Sequence, residues 1–286
     1  MYRIALKKRL AARTYLFQVE APAVARKVQP GQFVMVRPHE TGERIPLTAA
    51  GWDRDKGILS IVLSAVGKTT SELAALRVGD TIANLVGPLG RPTEIDSFGT
   101  VVCVSGGYGV AAMLPIAQAM KQAGNRVLSI LGARSGRLLF WQDRLAATSD
   151  ELIITTDDGS YGRKGVVTEP LKEFLEGGEK VARVIAIGPP LMMKFSALTT
   201  KPFGVKTIVS LNSIMVDGTG MCGSCRVEVG GETRFACVHG PEFDGHGVDW
   251  DLLLVRQQIY LDEEKRALRL WKRGRPRRAR AVVGGR

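Results

Sequence analysis

Cys222, Cys225 and Cys237 lie in the segment VDGTGMCGSCRVEVGGETRFAC, where residue type and spacing suggest chemistry most directly. Cys222 and Cys225 form C-x2-C, eleven residues separate Cys225 from Cys237, and four separate Asp217 from Cys222. A C-x4-C-x2-C run with a distant fourth cysteine holds a [2Fe-2S] cluster, and here Asp217 stands in the first position. A carboxylate is anionic like a thiolate and can bind ferric iron. Asp217, Cys222, Cys225 and Cys237 are therefore the candidate metal ligands, with the harder oxygen donor altering the cluster's reduction potential. Gly218, Gly220 and Gly223 allow the unusual φ angles of a loop that aims N–H groups at sulfur. Two other readings remain open: a structural zinc site completed by His239 or His246, and three unrelated thiols. Cys103 lies in an apolar run and reads as a small core residue.

A second group of motifs suits phosphates and flat rings. In Arg44-Ile45-Pro46-Leu47-Thr48, strand periodicity puts Arg44, Pro46 and Thr48 on one face, with a cation for phosphates and a hydroxyl for a flavin ring. A surface strand is the plain alternative. Gly67-Lys68-Thr69-Thr70 precedes a helical stretch, where N–H groups and hydroxyls can cradle a pyrophosphate. The alternative there is an ordinary cap formed by Thr69 or Thr70. Gly106-Gly107-Tyr108-Gly109 joins an apolar strand to a helix, the context a dinucleotide turn requires. The acid expected about twenty residues further on is missing; Arg134 stands in that region and either holds a phosphate or is solvated. Asp157-Asp158-Gly159 and Gly188-Pro189 fall where open parallel sheets bind ligands. Met192 and Met193 read as core.

These motifs need elements to hold them. Residues 1–97 show short apolar runs separated by turn signals, with one helix near 71–76, and suggest a small antiparallel β-barrel. Residues 98–206 alternate buried strands (100–104, 127–131, 152–154, 184–187) with helices, as for an α/β domain on a parallel sheet. Beyond about 206 the sheet pattern ends and a small cluster-binding domain is expected over 207–248. One helix is expected from Asp249 to about Trp271, with a disordered basic tail beyond Gly274. The fold class is thus multi-domain: β-barrel, α/β nucleotide-binding domain and C-terminal iron–sulfur domain.

The net charge of +12 suggests nucleic acid until its distribution is examined. Residues 265–286 carry ten Lys/Arg and no acid, leaving the rest at +2. No nucleic-acid partner is expected, and the tail reads as solvated rather than as a lipid or nucleic-acid site. No apolar run of membrane-spanning length and no secretory signal is seen, so the cytoplasm is expected.

The order RIPLT, GKTT, VGPLG, SGGYGVAAMLPIA, TDDGSYGRKG, GPPLMMK and VDGTGMCGSC resembles the ferredoxin reductase-like flavoproteins over about residues 1–265. It is most similar to the electron-transfer subunits of type B dihydroorotate dehydrogenase and their relatives, including the FAD/NAD-binding alpha subunits of NADH-dependent reduced ferredoxin:NADP oxidoreductase, also described as sulfide dehydrogenase subunits. The resemblance implies a six-stranded FAD barrel. It places Arg44, Pro46, Leu47, Thr48, Gly67, Lys68, Thr69 and Thr70 on FAD. It places Gly107, Tyr108, Gly109, Asp157, Asp158, Gly159, Gly188 and Pro189 on NAD(P). Asp217 and the GKTT form favour the ferredoxin:NADP oxidoreductase branch, where three Cys and one Asp hold the cluster. The implied partner is a larger flavin/iron–sulfur subunit similar to the glutamate synthase small subunit, with ferredoxin as a further possible partner. A dihydroorotate dehydrogenase subunit and a zinc-stabilised nucleotide-binding protein without redox turnover are the alternatives. No acid–base dyad or nucleophile is expected, because the cofactors carry the chemistry.

Overall fold

The computed structural model describes residues 1–274. The expected disordered tail lies outside these residues.

The first part of the chain contains β1 (Tyr2–Ala11), β2 (Thr14–Glu20), the short α1 (Pro22–Ala25), β3 (Phe33–Arg37), β4 (Ile45–Asp53), β5 (Ile58–Ser64), α2 (Lys68–Ala75), β6 (Thr81–Ile82) and β7 (Asn84–Leu89). Their sheet order is β6-β1-β2-β5-β4-β3-β7, seven strands rather than the six expected. The difference is local. β6 and β7 are one stretch of chain interrupted at Ala83; its first piece pairs with β1 and its second with β3. One broken strand therefore bridges both edges of the barrel and leaves little exposed edge. Alternating residues, among them Phe17, Val19, Val34, Val36, Leu59 and Ile61, point inward to one core.

The second sheet contains β8 (Thr100–Gly106), α3 (Val110–Gln122), β9 (Arg126–Ala133), α4 (Gln142–Ala146), β10 (Glu151–Thr156), β11 (Arg163–Lys164), α5 (Thr168–Glu176), β12 (Val181–Ile187) and α6 (Pro190–Thr200). β13 (Lys206–Ser210) and the later β16 (Glu242–Asp244) continue the sheet, and the order is β11-β10-β9-β8-β12-β13-β16. All pairings are parallel except β13 with β16. The central strands are buried on both faces, as their unbroken apolar runs require. One face packs α3 and α4, and the other packs α5 and α6.

The expectation that the sheet ends near 206 is corrected here. The boundary expected at 206/207 falls at the start of β13, which pairs residue for residue with β12 from Arg183↔Lys206 onward. The chain then leaves the sheet and forms the hairpin β14 (Arg226–Val229) and β15 (Glu232–Phe235), followed by α7 (Ala236–His239). It returns as β16 (Glu242–Asp244), antiparallel to β13 through Ser210↔Glu242. The single helix expected over 249–271 is two helices, α8 (Trp250–Arg256) and α9 (Leu261–Gly274), separated by a turn at 257–260. Asp249 caps α8 by accepting the Leu252 N–H at 2.9 Å.

Candidate functional site

Between barrel and sheet runs a cleft made of two adjoining cavities of about 290 and 980 Å³, which share Pro46, Thr70 and Tyr108. Phe33, Leu47, Val62, Leu63, Ile187 and Met215 make the smaller cavity mainly apolar. The larger one is bordered by Arg37, Arg44 and Lys68 and by the start of α2. An apolar slot beside a larger cavity with cations along its α2 side matches two parts of a flavin dinucleotide: a flat ring system and a phosphate chain.

β4 explains the first motif. Its N-terminal half pairs only with β3, through Met35↔Pro46 and Phe33↔Thr48, and pairing with β5 begins at Ala49. Pro46 therefore sits at a local edge, where its missing N–H costs no ladder bond. Pro46, Leu47 and Thr48 line the smaller cavity, while exposed Arg44, just before the strand, lines the larger.

At α2 the N-cap is Gly67, so neither Thr69 nor Thr70 fills the cap position. Thr70 is nevertheless the capping hydroxyl, accepting the N–H groups of Val66 (3.1 Å) and Gly67 (3.0 Å). Lys68 and Thr69 meet a residue that the motifs did not suggest. Glu43 accepts the Thr69 hydroxyl at 2.7 Å, and its other oxygen lies 3.4 Å from Lys68 Nζ. A side-chain carboxylate thus occupies donors suited to a phosphate. Its only sequence signal is its position one residue before Arg44.

The turns of the parallel sheet meet this cleft from the other side. Gly107 has φ +55, a left-handed conformation that glycine adopts without strain. A Cβ at Gly109 would collide with the Ile187 carbonyl oxygen, so that glycine permits close approach of β12 to the start of α3. The turns after β8 and β12 touch: a Cβ on Gly188 would come within 3.0 Å of the Gly106 Cα, and one on Gly106 within 2.9 Å of Pro189 Cδ. Tyr108, 56% exposed, faces both cavities. Asp157, Asp158 and Gly159 are exposed after β10, along the same sheet edge but outside both cavities. Asp158 is engaged in its own turn, accepting the Ser160 N–H at 3.0 Å and hydroxyl at 2.6 Å. The Ser160 hydroxyl interaction holds its carboxyl below the usual range. Arg134 is exposed, Met193 is fully buried, and Cys103 is core, its thiol pushed up to about 12 by burial.

The cluster segment is partly assembled. Cys225 and Cys237 are buried with sulfurs 3.2 Å apart, longer than a disulfide of about 2.05 Å. Burial and the adjoining Cys225 sulfur push the Cys237 thiol up to about 12, so a bound cation would be needed to hold it as thiolate at neutral pH. Cys222 is exposed, and Asp217 accepts the N–H groups of Thr219 and Cys222, both at 2.9 Å. Among the described residues no three such side chains already converge as a metal cage. The donor set still suits iron: Asp217, Cys222 and Cys225 on one glycine-rich loop, with Gly218, Gly220 and Gly223 all at positive φ, and Cys237 brought to Cys225 by α7. Both candidate zinc histidines are engaged elsewhere. His239 Nδ1 accepts the Phe235 N–H at 2.9 Å, and His246 Nε2 lies 2.9 Å from the Thr200 hydroxyl.

Phe33 and Met215 were not singled out from the sequence. Both line the apolar cavity, and both pack in one buried cluster with Cys225, Cys237, Met35 and Ala236. The wall of the cleft is thus also the packing around the cysteines.

Comparison with known proteins agrees with this arrangement. The family model of the iron–sulfur cluster binding domain of dihydroorotate dehydrogenase B matches residues 212–249, which include Asp217 and the three cysteines. The chain is 49% identical over 92% of its length, and 92% of the relative's, to a homolog of the dihydroorotate dehydrogenase B electron transfer subunit from Thermotoga maritima. It is 35% identical to such a subunit from Desulforamulus reducens, covering 85% of this chain and 95% of that one. The chain belongs to this family of electron-transfer subunits, which have the ferredoxin reductase-like fold and work with FAD, NAD(P) and a [2Fe-2S] cluster. Within it, the chain is 47% identical to one from a solved NADH-dependent reduced ferredoxin-NADP oxidoreductase structure, with a TM-score of 0.90 over 95% of this chain and 98% of the other. Phthalate dioxygenase reductase, 18% identical with a TM-score of 0.56 over 80% of this chain and 85% of its own, shares the fold. No described helix is long and apolar enough to cross a membrane.

Proposed function

We propose that this chain is the NAD(P)H-linked subunit of a ferredoxin:NADP oxidoreductase-type complex. FAD held in the cleft would supply hydride exchange with a nicotinamide and single-electron exchange with an iron–sulfur cluster. The chain's part is positioning. Leu47, Thr48, Phe33 and Met215 enclose the flavin ring; Arg44, Lys68, Thr69 and the first turn of α2 hold its phosphates. Gly107–Gly109, Asp157–Gly159 and Gly188–Pro189 receive the nicotinamide nucleotide, and Asp217, Cys222, Cys225 and Cys237 hold the cluster. The observation that carries this reading is the packing of Phe33 and Met215 against both cavity and cysteines, which puts the two proposed cofactor sites on either side of one buried cluster.

The acceptor on this reading is a larger flavin/iron–sulfur subunit similar to the glutamate synthase small subunit, with ferredoxin as a further redox partner. Similarity to the oxidoreductase structure and Asp217 in the first ligand place support that branch. The names of the sequence relatives support a second reading, in which the partner oxidises dihydroorotate. Co-purification of the native complex distinguishes them: NADP reduction by NADH and reduced ferredoxin is expected, and dihydroorotate-dependent NAD reduction would favour the second. For the cluster, anaerobic purification should give iron, flavin and a [2Fe-2S] electron paramagnetic resonance signal. Asp217→Cys should retain the cluster with a changed spectrum and potential; an identical spectrum removes Asp217 from the ligand set.

A further inference from the structure

The larger cavity has a wall that none of the motifs above supplies. Gln257, Tyr260, Glu263, Glu264 and Ala267, from the turn before α9 and its first two turns, face Arg37, Arg44 and Lys68 across about 980 Å³. α9 lies against α2, yet none of its residues is fully buried. Tyr260 is 53% exposed. Among the described residues, its hydroxyl and the Glu263 and Glu264 carboxylates have no recorded hydrogen-bond or ion-pair partner. A helix with this little burial gains little from packing alone. A ring, two free carboxylates and an opposing set of cations form a graded surface: anion-binding on the α2 side, aromatic and hydroxyl-accepting on the α9 side.

We infer that the 257–267 segment is the adenosine subsite of the FAD cleft, with Tyr260 stacking on the adenine and Glu263 or Glu264 accepting the ribose hydroxyls. This rests on the placement of FAD proposed above. With the phosphates at Lys68 and Arg44 and the flavin ring on the Pro46, Tyr108 and Met215 side, the adenosine at the opposite end of the cofactor reaches the 257–267 wall of the same cavity. Carboxylates are suited to ribose hydroxyls, and every base presents a π-face to an aromatic ring. The cofactor thereby fastens α9 to the body of the protein.

The test titrates cofactor-free full-length chain with FAD and, separately, with FMN, which lacks the adenosine, following flavin fluorescence. Tyr260→Ala should weaken FAD about tenfold, within the range of base-on-aromatic stacking, and leave FMN unchanged. Tyr260→Phe should retain FAD affinity. In amide exchange, FAD but not FMN should protect residues 261–274. Equal effects of Tyr260→Ala on both flavins, or no effect on FAD, would overturn the subsite while leaving FAD in the cleft. Failure of the parent chain to bind either flavin would overturn both the subsite and the placement on which it rests.

Discussion

Glu43 binds the same donors that a phosphate would use, Lys68 Nζ and the Thr69 hydroxyl. An anion that takes both of these donors must displace it. Glu43→Gln keeps the shape and removes the charge, so FAD should bind about threefold more tightly, in line with about 0–1 kcal/mol for an exposed ion pair. Calorimetric titration reads this directly, and weaker binding would mean that Glu43 contacts the cofactor instead. Gly109→Ala tests the close approach of β12: its Cβ meets backbone, which cannot step aside like a side chain. A loss of about 1–3 kcal/mol, as for overpacking, is expected in urea unfolding; an unchanged midpoint would refute the contact. The motif residues were legible because their meaning is local, a turn plus a helix start or one strand face. Glu43, Phe33 and Met215 were not, because their roles depend on where distant elements cross.

Glu242 lies on β16, and Thr93 donates its hydroxyl to it at 2.6 Å from the segment linking barrel to sheet. Burial pushes its carboxyl up to about 7, against the opposing pull of the Thr93 bond and Arg183. An acid with a raised folded-state pKa is favoured protonated, so its contribution is full below the ordinary carboxylate range and is lost as pH rises through about 7. The loss is on the order of 3 kcal/mol. Glu242→Gln should therefore gain stability over the parent chain at pH 8 relative to pH 5, and parallel urea curves at the two pH values would refute it. The elements were unevenly legible for physical reasons. Strands 100–104 and 184–187 were readable because burial on both faces leaves an apolar run. β16 escaped because three residues make no period. The break at Ala83 and the turn at 257–260 escaped because each interrupts a continuous pattern without a strong breaker residue.

At the scale of the whole molecule, the parts are joined by more than the chain. Arg183 pairs with Glu94 at 2.9 Å while its guanidinium lies 3.7 Å from the Phe98 ring centre. Arg91 N–H donates to the Gly240 carbonyl at 2.7 Å. A chain ending at Val205 would lose β13, β16 and the Arg91–Gly240 bond, exposing the β12 edge. It should be markedly less stable or insoluble, as thermal unfolding and sedimentation of the truncated chain would show; an unaltered melting temperature would refute the coupling. Deleting 275–286 should leave cofactor content and reductase activity unchanged, since every residue placed at the proposed cofactor sites precedes it.

β13 and β16 are adjacent antiparallel strands, and everything between Ser210 and Glu242 departs from and returns to one spot. Neighbouring strands lie about 4.8 Å apart, a gap that a tight hairpin can bridge. Residues 211–241 can thus be regarded as a cartridge clipped into a host sheet. Replacing them with a short turn should keep the nucleotide sheet but remove the metal wire together with the Met215 wall of the cleft. The same two strand ends offer a docking point for transplanting a foreign redox loop.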